Sequence, residues 1–66
     1  MTEGTVKFFN LKSHFGFIID AETGKEYYVH EKDLLETVKE GDVVQFETKL
    51  LKRGTVAIKV KKKDNT

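Results

Sequence analysis

In these 66 residues, 12 Lys+Arg face 11 Asp+Glu for a net charge of +1, so charge alone does not mark a binder of polyanions. The chain has no Cys and only two His, which excludes disulfides and thiolate metal sites and leaves no ligand cluster for a structural zinc. No apolar run approaches the ~20 residues of a membrane span and no signal-peptide pattern opens the chain, so one soluble, cytoplasmic domain over 1–66 is expected, without metal or other cofactor.

In chain order the sequence reads as short β-runs cut by turn signals. Gly4 to Asn10 is rich in β-branched and aromatic residues and predicts a first strand; Leu11 to His14 is a turn. Phe15 to Ile19 predicts a second strand, the polar stretch Asp20 to Lys25 with its Gly24 a hairpin loop, and Glu26 to His30 a third strand. Between Glu31 and Glu40, Leu34, Leu35 and Val38 fit helical spacing and Asp33 fits a cap, which predicts one helical or 3₁₀ turn inside a long loop. Gly41-Asp42 is a turn before a fourth strand, Val43 to Lys49, and Lys52-Arg53-Gly54 a turn before a fifth, Thr55 to Lys61. The residues from Lys62 to Thr66 have nothing evident to pack against and are expected to fray.

Five strands in so short a chain point to a small all-β barrel, because closure removes exposed edges. Alternation nominates Val6, Ile18, Val29, Leu34, Val44, Phe46, Ile58 and Val60 for its core. A remainder follows from the same count. With Ile18 and Val29 inside, Phe15, Phe17, Tyr28 and His30 face outward, and a contiguous exposed apolar patch tends to be a binding site. Flat rings beside lysines suit unstacked nucleic-acid bases. On the first strand, strict alternation puts Val6 and Phe8 on one face and Lys7 and Phe9 on the other. Phe8 joins the outer rings only if a bulge or strong twist breaks that alternation. The cations Lys7 and Lys12 flank the first rings and others gather from Lys52 to Lys63, while the acids lie mostly between Asp20 and Asp42. This is compatible with one basic and one acidic face, and equally with a mixed solvated surface.

Gly-Thr-Val-Lys-Phe-Phe-Asn at 4–10, Phe-Gly-Phe-Ile at 15–18 and Tyr-Tyr-Val-His at 27–30 resemble, in order and spacing, the first strand and the two RNA-binding motifs of a cold-shock domain. Glu40 to Glu47 and Arg53 to Ala57 are similar to its later strands, so the resemblance spans almost the whole chain. It implies a five-stranded antiparallel OB-fold barrel that binds single-stranded RNA or DNA by stacking, with little sequence specificity, and an RNA-chaperone role. Position by position it marks Lys7, Phe8, Phe9, Phe15, Phe17, Tyr28 and His30 as contacts, with Arg53 a looser match.

The departures from the family pattern carry their own expectations. Phe8 stands where the family usually has Trp, and offers a smaller face. Ser13 and His14 replace a usual Lys-Gly, so Lys12 is expected to supply the missing charge. His14 either adds a ring to the platform or is a plain turn residue, and any left-handed backbone there is sterically costly. Glu31 replaces a usual aromatic and is expected to repel phosphate, so weaker binding or a shorter footprint follows. The alternative to a nucleic-acid binder is an OB-fold module that docks a protein through the same rings. A hydrolase built on His14, His30 and Glu31 lacks a nucleophile, a metal cluster and a phosphate loop, so no enzyme is expected. A monomer is expected, with a strand-exchanged dimer open to so small a domain.

Overall fold

The computed structural model describes residues 1–63. Its strands are β1 (Thr2–Asn10), β2 (Phe15–Asp20), β3 (Glu26–His30), β4 (Val43–Leu51) and β5 (Gly54–Lys62), and they close into a barrel in the order β1-β2-β3-β5-β4. The all-β, five-stranded barrel expected from the sequence is therefore the architecture observed. Four of its pairings are antiparallel, while β3 meets β5 in parallel with Tyr28 opposite Val56. The parallel pair is a topological necessity: strand directions cannot alternate all the way around a ring with an odd number of members.

β-branched residues dominate the interior, as a narrow barrel requires. Val6, Ile18, Val29, Val44, Phe46 and Val60 are fully buried, joined by Ala57 and Val38, with Phe9, Tyr27 and Leu34 packed against them. Two of the nominated core residues sit differently. Leu34 lies at the edge of the core, bridged to Val60, and Ile58 is only half-buried. The cause at Ile58 is a bulge. Gln45 pairs with Lys61 but Glu47 pairs with Ile58, so β5 spends an extra residue there, and Lys59 takes a positive φ of 51°. That extra residue puts Ala57 and Val60, three apart, on the same inward face.

The long connection from 31 to 42 contains one 3₁₀ turn, Glu31–Asp33. Its cap is His30 rather than Asp33: the His30 ring accepts from the Lys32 amide at 3.1 Å. The connection is then pinned to the barrel by Leu35 N donating to Val60 O at 2.7 Å and by burial of Val38. Asp20 closes the β2–β3 loop by accepting from the amides of Glu22 at 2.7 Å and Thr23 at 3.2 Å, and the Glu22 amide bond above all holds its pKa below the ordinary carboxylate value. Lys62 and Lys63, the first residues of the tail expected to fray, are hydrogen-bonded to the rest of the domain. Lys62 ends β5 and donates its amide to Glu36, while Lys63 N bonds to Val43 O at 2.9 Å and its ammonium meets Glu3 at 2.8 Å. The rest of the expected frayed tail, 64–66, lies outside the described residues.

Candidate nucleic-acid interface

The bulge that Phe8 needs is present on β1. Val6 pairs with Ile18 and Phe8 with Phe17, so two steps along β1 match one along β2 and Lys7 is the extra residue. Val6 keeps its place in the core while Phe8 comes out beside Phe17. The backbone of Val6 is satisfied elsewhere: its N–H donates to Asp42 O and its C=O accepts from Gly41 N, both at 2.9 Å. Past the bulge the alternation resumes, which turns Phe9 inward against the core. The Phe9 position, marked by the family pattern, is thus on the opposite face from the other rings.

Gly16 allows this crowding. It pairs with Phe9, and a methyl group added at its Cα would run into the Phe8 carbonyl and within 2.6 Å of the Phe9 ring. The glycine between Phe15 and Phe17 therefore lets β1 lie close enough for Phe8 to join them.

On the outer face Phe17 pairs with Tyr28 and Phe15 with His30 across β2 and β3. Phe8, Phe15, Phe17 and Tyr28 form one continuous cluster, with ring centroids 5.5 Å apart for Phe8–Phe17, 6.2 Å for Phe15–Phe17 and 5.7 Å for the nearly parallel Phe15–Tyr28 pair. The rings meet mostly edge to face, the arrangement their quadrupoles favour. None is buried: the phenylalanines are half-exposed and Tyr28 is exposed. His30 extends the row on the β3 side, its ring nitrogen held by the Lys32 amide.

The cations are distributed less simply. The Lys7 ammonium is 3.2 Å from Glu26, so its charge is already partnered. Lys12 lies in the exposed turn between β1 and β2, in no ion pair with a described residue. Arg53 lines a groove of about 210 Å³ with Tyr28, His30, Lys32, Leu51 and Val56, which places it at the platform edge. Sequence reading missed Lys32, Leu51 and Val56. Nothing local marks them, because they reach the rings only through the parallel contact of β3 with β5 and the turn after His30.

His14 has the positive φ, 61°, that a glycine would adopt freely. Its carbonyl accepts from Glu31 N at 2.8 Å and its Nδ1 lies 2.5 Å from Glu31 Oε2. Two of the departures from the family pattern, His14 and Glu31, therefore meet as one pair at the end of the β2–β3 ladder, next to the Phe15–His30 rung. His14 is a hydrogen-bonding partner of Glu31.

Among the described residues no group of three His, Cys, Asp or Glu is placed to hold a metal ion, and no helix is long and apolar enough to cross a membrane. The chain matches the 'Cold-shock' DNA-binding domain over residues 2–63. It is 38% identical over 66 residues to "Cold shock protein CspC" of Bacillus subtilis, covering 94% of this chain and 98% of the relative. With "Cold shock-like protein CspLB" of Listeria monocytogenes it shares 42% identity over 66 residues, with 94% and 98% covered. "Cold shock-like protein CspC" of Shigella flexneri is 37% identical over 62 residues, with 88% and 90% covered. A closed barrel, an exposed row of rings on β1, β2 and β3, and matches along nearly the whole chain converge: this chain belongs to the cold-shock domain family of nucleic-acid-binding proteins.

Proposed function

We propose that the chain holds single-stranded RNA or DNA by stacking its bases on Phe8, Phe15, Phe17, Tyr28 and His30, and that it acts as an RNA chaperone in the cytoplasm, as a monomer and not as an enzyme. The observation that carries this reading is the ring cluster itself. Its four aromatic rings share one open face, although a domain this small has few large side chains with which to fill a core. Every base has a flat face, so such a surface is tolerant of sequence, and each stacked base is worth about 1–3 kcal/mol by truncation of the ring beneath it. A duplex hides those faces. A protein that binds only the open strand draws the duplex–strand equilibrium toward it by mass action, with no need of ATP.

Titrating the protein with a fluorescein-labelled heptathymidine, and separately with a blunt duplex of the same length range, tests this. Saturable binding of the single strand, at least tenfold tighter than the duplex, is expected, together with faster opening of a hairpin reporter. Equal affinity for both forms ends the stacking reading. No binding to either leaves the aromatic face to a protein partner.

A further inference from the structure

The Phe15–His30 rung of the platform is followed by the His14–Glu31 pair, and beyond that pair the surface falls into a groove of about 210 Å³. Leu11, Leu34 and Leu35 give it apolar walls, and Glu31 and Glu36 give it carboxylates. Leu11 and Leu35 are 61% and 65% exposed, so this apolar surface has no use inside the domain. Glu31, which follows His30 in the chain, lines this groove and so connects it to the end of the ring row.

Glu31 is held in place. Its amide is bonded to His14 O and its Oε2 to His14 Nδ1, so its remaining oxygen, Oε1, is an acceptor with no donor among the described residues. Glu36 is similarly fixed by accepting from the Lys62 amide at 3.1 Å. A positioned carboxylate discriminates among bases. It accepts from N–H groups and is repelled by carbonyl oxygens. Guanine presents two adjacent donors, N1–H and its exocyclic amine. Thymine and uracil present one N–H flanked by two carbonyls. Single-stranded bases are open to this kind of reading along their Watson–Crick edges.

We propose that Glu31, oriented by His14, is a specificity-determining residue that selects guanine over thymine or uracil at the nucleotide following the Phe15–His30 rung, with the base lying against Leu11, Leu34 and Leu35. The inference rests on the stacking reading above. On it, the carboxylate that replaces an aromatic does more than repel phosphate: it exchanges a general stacking contact for a selective hydrogen bond.

The test is a guanine scan. A labelled heptathymidine is compared with the seven oligonucleotides that each carry one guanine, by anisotropy at fixed salt. One position is expected to gain roughly tenfold in affinity over thymine, the range of one hydrogen bond to a charged acceptor. Inosine at that position, which lacks the exocyclic amine, should fall between the two. Glu31→Ala should bring the guanine-to-thymine ratio at that position to near one, Glu31→Gln should lower it at least threefold, and His14→Ala, which unties the carboxylate, should lower it as well. A scan flat within twofold overturns the inference. So does a Glu31→Gln variant that strengthens all eight oligonucleotides by the same factor, since that is repulsion alone. Failure of every oligonucleotide to bind would instead remove the stacking reading beneath it.

Discussion

Phe17→Leu separates the work of the outer rings from the work of the core. Phe17 touches all three other rings of the platform, with centroids at 5.5 Å to Phe8, 6.2 Å to Phe15 and 5.9 Å to Tyr28. Leucine keeps much of the apolar volume and removes the flat face. The loss in binding should be about 1–3 kcal/mol, a factor of roughly 5 to 150 in Kd, because one base loses its stacking surface. The loss in stability should be smaller, about 1 kcal/mol, since an aromatic pair contributes about 0.5–1.5 kcal/mol and this ring is half solvated. The fully buried Phe46, packed against Tyr27 at 5.7 Å, supplies the opposite case. Phe46→Leu should cost about 1–3 kcal/mol of stability, a large share of what a chain this size holds, while the folded fraction keeps its affinity. Urea denaturation followed by circular dichroism gives stability, and anisotropy of a labelled heptathymidine at 10 °C gives Kd for both variants. If Phe17→Leu leaves Kd within twofold, or if both variants lose affinity only in proportion to the protein unfolded, the platform is not the binding surface.

Gly16→Ala should unfold the domain or cost several kcal/mol in a denaturation curve, because the new methyl group meets backbone and the Phe9 ring, whereas Gly24→Ala, with φ of 76° and nothing within 4 Å, should cost only about 1–2 kcal/mol. Lowered in the fold, the Asp20 pKa gives a stabilisation that is complete above the ordinary carboxylate value and is lost as pH falls through the depressed folded value. Asp20→Asn should accordingly be less stable than the parent at neutral pH and approach it in strong acid, as read by thermal melts across pH. Lys32 and Arg53 line the groove beside Tyr28 and His30, and Lys12 sits in the β1–β2 turn, all outside any ion pair with a described residue; if these three meet phosphates, the slope of log K against log salt should be about −2, from about −0.7 per phosphate. Glu26→Gln frees Lys7 and should steepen that slope by about 0.7 and tighten binding at low salt.

The sequence alone determined the period-two alternation, and with it most of the barrel. Ile18 and Val29 inside force Phe15, Phe17, Tyr28 and His30 outside, because side-chain direction along a regular strand is a local property. The same local logic failed where a strand departs from regularity. The bulge at Lys7 brings Phe8 out and turns Phe9 in, and the bulge at Lys59 exchanges Ile58 for Ala57 in the core. Neither is written in a nearby Gly or Pro. Each arises from fitting strands of a closed barrel to partners far along the chain, with Gly16 leaving room for the first. Tertiary structure also decided the electrostatics. Lys7 with Glu26 and His14 with Glu31 are 19 and 17 residues apart in sequence, and only the adjacency of strands makes them pairs. Composition gave two lone histidines and a misplaced carboxylate; folding made one of those histidines the partner that orients it.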